Sequence, residues 1–450
     1  MFKKNKTYIG LIVLHLIIGV LIYVAPIFSK LYVALIILVG FLYVIKNKNN
    51  DNQVLIVASY QVGVEVFLRM TNGVPSYEFS KYVIIIYMLI GMYYSGVSRN
   101  AVAYWLYLIL LIPGVIISTQ TFSYDNLDLR RTIVFNLSGP ICLGIAALYC
   151  YRRNLSFKKL NQLLFFILLP ILSTVVYLIL YTPSTLKNIL VTTSSNFNTS
   201  GGFGPNQVST VLGLAMFILF SRIIFETKTV FILLVNLSLI LVVSYRGLIT
   251  FSRGGILTGL MMIIVLYLVT YLISHGKAKV KLLYIFSFFV FMSVLLWSYS
   301  LIQTDGLIEK RYQNKDALGR VKENDFSGRE KIASDELDMF YKNPFFGVGT
   351  ARATDLRNIS TGEVTASHDE ITRMMAEHGL FGIVALLILG FTPLFLYIDN
   401  KQHLYLFSFL IFWFFTINHA AMRTASPAFI YALSLLKISF NEEKYSLHRK

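Results

Sequence analysis

Apolar runs of about 20 residues recur along this chain, and they constrain its fold more than any other feature. A hydrocarbon core of roughly 30 Å is crossed by about 20 residues of helix. Runs of that length lie near 8–25, 27–45, 54–70, 82–98, 101–118, 132–150 and 161–181. Others follow near 206–225, 229–245, 253–274, 281–302, 371–397, 403–419 and 424–437. The expectation is an all-α, polytopic transmembrane bundle of about 12–14 spans, with 54–70 and 424–437 the weakest of them.

Composition agrees. Of 450 residues, 56% are hydrophobic and only 14% charged, and the mean hydropathy is +0.65. A soluble globular chain is about a quarter charged, so this one cannot cover a water-facing surface of its own. That excludes a soluble enzyme, a disordered chain and a disulfide-rich secreted protein. A transmembrane barrel would show short alternating segments instead of long continuous runs. Cys142 and Cys150 lie eight residues apart in one apolar run, so neither a disulfide framework nor a Cys-based metal site is expected. Lys3, Lys4 and Lys6 precede the first run like the basic end of a signal peptide. No small-residue cleavage site follows Ala25, however, and an uncleaved first span is expected.

The net charge of +17 does not point to nucleic acid, because the basic residues are scattered through membrane-flanking connections. Even-numbered connections carry Lys46 and Lys48, Arg99, the 152–159 group, Arg222 and Lys228, then Lys277, Lys279 and Lys281. The tail adds Lys437, Lys444, Arg449 and Lys450, whereas odd-numbered short loops are poorer in cations and hold Asp125 and Asp128. By the positive-inside rule both termini are cytoplasmic. Residues 303–370 break the pattern as a long polar loop on the outer face, with 13 of the 23 acidic and 10 of the 40 basic residues. Loops of that length work as lids or binding elements. This one contains its own helix: Ser327 and Glu330 fit a capping box, Ile332, Leu337, Phe340 and Tyr341 keep helical spacing, and Asn343-Pro344 ends it. The chain thus divides into a transmembrane region at 1–302, an extracytoplasmic loop at 303–370, and C-terminal helices with a cytoplasmic tail at 371–450.

Candidate functional residues gather at the outer side. Arg246 and Arg253 are seven residues apart, and on a continuous helix both guanidiniums point to one side. They read either as snorkelling arginines or as a diphosphate clamp, since Arg binds phosphate oxygens bidentately. Gly201-Gly202-Phe203-Gly204-Pro205-Asn206 leads into a span, with Pro205 suited to a first helical position and glycines that let backbone N–H groups approach a ligand. Ser367 and Glu370 make a second capping box, which puts His368 in the first helical turn; the helix dipole there favours a neutral imidazole and Asp369 and Glu370 oppose it. Arg320 and Arg329 are loop cations that read as phosphate contacts or as surface pairs. Glu65 and Arg69, four apart within a span, are expected to pair, structurally or as a site wall. His419 and Arg423 lie at another outer loop as candidate cavity lining. Asp335, Glu336 and Asp338 read as a solvated face rather than a metal site, and no metal or cofactor is expected.

Several of these elements together resemble the O-antigen ligase and polymerase family of bacterial membrane glycosyltransferases. Pro205-Asn206, Ser252-Arg253-Gly254-Gly255, Gly328-Arg329, Pro344-Phe345-Phe346-Gly347-Val348-Gly349 and His368 with Glu377, Gly379 and Gly382 follow the family's motifs in order. Two departures stand out: Asp369 where the family has Asn, and Ile332-Ala333 where it has an aromatic.

The resemblance implies a GT-C-like bundle in the bacterial cytoplasmic membrane, with its active site facing outward. It implies an inverting, metal-independent transfer of glycan from an undecaprenyl-diphosphate-linked donor to a glycan acceptor. In that picture Arg253 and Arg246, with Arg329, hold the diphosphate, His368 takes or positions the acceptor hydroxyl, and Glu377 orients the histidine. A polymerase joins two lipid-linked repeat units, whereas a ligase moves the finished polymer to lipid A core or another acceptor. Lys-, Asn- and Ile-rich usage tilts the reading to a polymerase of O-antigen, capsule or exopolysaccharide, with a chain-length regulator as candidate partner. A lipid-linked oligosaccharide flippase is the alternative from another class. It would carry its charges near the membrane midplane rather than at the outer interface.

Overall fold

The computed structural model of the protein describes residues 2–121, 127–182, 190–322, 329–361 and 367–440. Ser327, Gly328, Asp125 and the tail beyond 440 lie outside these, as do the side chains of Lys3, Lys4, Asp128 and Arg329. In chain order the first helices are α1 (Phe2–Val24), α2 (Ile27–Asn47), α3 (Gln53–Met70), α4 (Phe79–Ser95), α5 (Val102–Leu110) and α6 (Ile112–Thr121). Next come α7 (Leu127–Cys150), α8 (Phe157–Tyr181), α9 (Pro205–Phe225), α10 (Val230–Leu248), α11 (Arg253–Ile273) and α12 (Lys277–Gln303). The last are α13 (Leu307–Tyr312), α14 (Arg329–Lys342), α15 (Arg352–Thr361), α16 (Glu370–Ile398), α17 (Leu406–Ala420) and α18 (Ser426–Leu433).

Among the described residues, 11 helical stretches are long and apolar enough to cross a membrane, and α4 and α17 are shorter apolar helices. The protein is therefore a multi-pass, all-helical membrane protein. The run at 424–437 is not a span: α18 has eight residues, about 12 Å of helix, and is buried along its whole length. The loop helix expected after Ser327 is α14, which runs to Lys342, immediately before Asn343-Pro344.

The chain forms two compact units, Met1–Tyr77 with Lys158–Glu323, and Glu78–Phe157 with Asn324–Lys450. At the centre of the first is α9, buried almost throughout and packed against α10, α11 and α3. In the second, α7 packs on α4, α5 and α18, and α16 packs on α5, α14 and α17. Its only described strands, β1 (Asn154–Ser156) and β2 (Lys437–Ser439), form a short parallel pair with Leu155 opposite Ile438.

Candidate functional site

In the first unit, α9 and α11 lie unusually close because glycines face each other's backbone. A Cβ on Gly255 would overlap the Ser209–Thr210 main chain, and one on Gly259 would stand 2.7 Å from Gly213 Cα. Position 209 meets 255 and position 213 meets 259, so the helices run parallel with their N-termini side by side. Ser252 Oγ donates to Asn206 Oδ1 at 2.8 Å, and Ser209 Oγ donates to Ser252 Oγ at 2.8 Å. The Pro-Asn and Ser-Arg-Gly elements are thus one hydrogen-bonded structure. Each N-terminus presents unpaired N–H groups and roughly half a positive charge. Pro205 takes the first position of α9, and Gly201 and Gly202 before it have φ of 69° and 72°.

Cations collect at this double N-terminus. Arg253, half-buried, opens α11, and its Nη1 donates to the Arg311 carbonyl at 3.3 Å; Arg311 Nε donates to the Phe251 carbonyl at 2.9 Å. Burial, then the charges of Arg311 and Arg253, push the Lys322 ammonium below its ordinary pKa. Beside the same two arginines, Tyr312 is pushed up to about 12 by burial. Arg311 and Lys322 were not singled out from the sequence. They lie in the long loop among eight other cations, and only folding brings them back to Arg253.

Arg246 is placed differently from the sequence expectation. Helix α10 ends at Leu248 and α11 begins at Arg253, so the two arginines do not share a helix face. The reason is the break at 249–252, where Phe251 turns to φ 57°. Buried Arg246 donates through Nη2 to the Leu178 carbonyl at 2.6 Å and to Thr182 Oγ1 at 2.5 Å. It thereby ties down the C-terminal end of α8. Arg320 is exposed and pairs with Asp316 at 2.8 Å; such surface pairs contribute about 0–1 kcal/mol. Glu65 and Arg69 do pair, at 2.5 Å and fully buried. The Arg69 guanidinium lies 3.9 Å over the Tyr77 ring, whose hydroxyl accepts from Gln207 Nε2 at 3.2 Å. The pair is thus linked to the first turn of α9.

The second unit holds the histidine. Asp369, not Ser367, caps α16, its Oδ1 accepting from Ile371 N at 2.9 Å. His368 therefore precedes the helix instead of occupying its first turn, and the dipole argument for its neutral form falls away. Asp and Asn cap equally well, so the aspartate keeps this hydrogen bond where the family has Asn. Burial pushes the Asp369 carboxyl above its usual range. The His368 carbonyl accepts from Ala421 N at 3.2 Å, and Arg423 Nη2 donates to the Ser367 carbonyl at 3.1 Å. Arg423 lines a cleft with Asn136, Ser367, Glu370 and Arg373. His419 is in the last turn of α17 with Nδ1 toward the Phe415 carbonyl at 2.7 Å.

Behind this cleft stands a network of buried charges. Arg373 binds the carboxylates of Glu370 and, at 2.7 Å, of Glu377. Glu377, about 10 Å along the helix from Glu370, is thus engaged by Arg373. Glu336 accepts from Arg357 at 2.8 Å, Thr372 at 2.6 Å and Ser367 at 3.3 Å. It is an ion-pair hub rather than a solvated face. Burial still raises its pKa, against the lowering effect of those donors. The Glu370-x-x-Arg373-x-x-x-Glu377 spacing was the sequence signal for Arg373, and it was missed.

The glycine motifs have a structural task here. Gly379 leaves helical geometry at φ 59°, which frees the Ala376 and Glu377 carbonyls. Val348 N donates to the first at 2.8 Å and Gly349 N to the second at 3.1 Å, while Leu380 N donates to the Pro344 carbonyl at 2.7 Å. A Cβ on Gly379 would sit 2.6 Å from Gly347 N and Pro344 O. The Pro-x-x-Gly-x-Gly and Glu-x-Gly-x-x-Gly elements are two halves of one clasp.

The membrane-length helices define a multi-pass membrane protein. Residues 237–387 match the family model described as O-antigen ligase. Over that stretch, about a third of the chain, the match supports the resemblance to the O-antigen ligase and polymerase family. None of the curated proteins matches it.

Proposed function

We propose that the protein transfers a glycan from an undecaprenyl-diphosphate-linked donor, without a metal, and that it polymerises repeat units of a surface polysaccharide. The observation that carries this reading is the gathering of Arg253, Arg311 and Lys322 at the shared positive end of α9 and α11. That arrangement suits a diphosphate, whose oxygens take guanidinium forks and helix N–H groups. In the step, the acceptor hydroxyl oxygen forms a bond to the anomeric carbon from the face opposite the leaving group. The bond from that carbon to the diphosphate oxygen breaks, its electron pair leaving as lipid diphosphate. The cations absorb the developing charge, and the family resemblance gives His368 the task of taking the hydroxyl proton. The distribution of Lys and Arg supports outward placement of this chemistry with both termini cytoplasmic, and the family resemblance supports the cytoplasmic membrane.

The matching family model is described as a ligase, which favours a second reading in which the acceptor is lipid A core or another glycolipid. Reconstitution separates the two. Purified protein with lipid-linked repeat units alone gives a ladder if it is a polymerase, and Arg253→Ala and His368→Ala lose it. Transfer only after a lipid A core or other acceptor is supplied makes it a ligase. No transfer, with labelled donor crossing vesicles, overturns the enzyme reading in favour of a transporter.

A further inference from the structure

The opposite end of α9 holds a recess that the transfer reaction does not use. Arg222 in the last turn of α9 lies 16 residues beyond Asn206 in its first, about 24 Å along the helix and most of the way across a bilayer core. The recess has a volume of about 670 Å³ and is bordered by the first turns of α1, α8 and α10 as well as the end of α9. Lys158, Arg222 and Lys228 line it, with Glu226 the only carboxylate in the lining among the described residues. Glu226 already accepts from Asn161 Nδ2 at 3.4 Å.

Arg222 is held in place rather than free to snorkel. Its guanidinium lies 4.5 Å from the Tyr8 ring centre and 4.6 Å from that of Phe165. Its buried Nε makes no hydrogen bond among the described residues. Three of the four helix ends here are N-termini, whose partial charge also favours an anion. Phe165, Phe166 and Ile232 supply an apolar wall beside the cations. A charged recess with an apolar side, at the ends of membrane-length helices, matches a group that is anionic at one end and hydrocarbon at the other.

We propose that this recess binds the phosphodiester headgroup of an anionic phospholipid, independently of the transfer site. The test is native mass spectrometry and thermal melting of the full-length protein. It is given phosphatidylglycerol, phosphatidylcholine or inorganic phosphate. Phosphatidylglycerol is expected to be retained and to raise Tm, and phosphatidylcholine is not. Lys158 and Lys228 are exposed, so Lys158→Gln and Lys228→Gln leave folding intact, and each weakens retention about fivefold, as a surface lysine near anionic lipid does. Lys279→Gln, elsewhere in the unit over the Tyr271 ring, changes nothing. Equal retention of both lipids overturns the proposal, as does undiminished phosphatidylglycerol when Lys158→Gln and Lys228→Gln are combined. Displacement of the lipid by inorganic phosphate, with the same rise in Tm, would make free phosphate the ligand and overturn the lipid assignment.

Discussion

Ser252 hands a hydrogen bond of 2.8 Å to Asn206, a residue 46 positions earlier in the chain. Because Ser209 completes the chain at 2.8 Å, the two helix ends that carry the cations are tied together. Asn206→Ala removes an acceptor whose net contribution to stability is about 1 kcal/mol. The expected result is a small drop in Tm with a much larger loss of ladder formation, measured on the same preparation.

Close approach of α9 and α11 depends on Gly255, where a Cβ would overlap main chain. Gly255→Ala should cost about 1–3 kcal/mol as overpacking. Gly390→Ala, in a position with nothing within 4 Å of the added carbon, should leave Tm unchanged or slightly raised. A pair of melts in detergent reads both.

The clasp predicts a local failure. Gly379 sits at φ 59° with neighbours 2.6 Å from any added Cβ, so Gly379→Ala carries strain of order 1–3 kcal/mol as well as a clash. Limited proteolysis should then cut faster near 343–350, while the first unit keeps its resistance.

Glu336 and Arg357 form a buried pair at 2.8 Å, with 0% and 2% of their side chains exposed. Glu336→Ala leaves a buried cation, at a cost of about 3–5 kcal/mol. Glu336→Leu combined with Arg357→Met removes both charges, and much of the lost Tm should return. Equal destabilisation by the single and double variants would refute the pairing as the cause.

A pH dependence follows from His403, in the connection between α16 and α17. Its Nε2 donates to the Leu433 carbonyl at 2.9 Å, and burial lowers its pKa to about 4. A depressed histidine pKa means that the unfolded chain takes up a proton first. Stability is therefore full above about pH 6.5 and falls as pH drops toward 4, by roughly 3 kcal/mol in all. His403→Gln should flatten that part of the Tm profile.

Hydropathy made the spans legible because lipid-facing helices must be apolar, and it misjudged segments that face protein. Helix α3 read weakly because nearly all of it is buried, so Gln53, Ser59, Gln61, Glu65 and Arg69 are accommodated inside. Conversely the 424–437 run was apolar without being long, because α18 meets protein on every side. At the candidate site, Asn206, Arg253 and His368 could be picked out from local motifs. Arg311, Lys322 and Glu336 could not, since their roles come from contacts across tens of residues that no local spacing encodes. The Arg246–Arg253 expectation failed for the related reason that spacing alone does not reveal a helix end.

The parallel placement of α9 and α11 has a consequence for mutagenesis. Part of the attraction for an anion there belongs to peptide groups, which every amino acid shares. Replacing the arginines and lysine one at a time would leave that share intact, so an alanine scan would underestimate how strongly the place holds the proposed diphosphate. Altering the main chain itself, by moving a helix start with an inserted residue or by an amide-to-ester exchange, would reach what side-chain changes cannot.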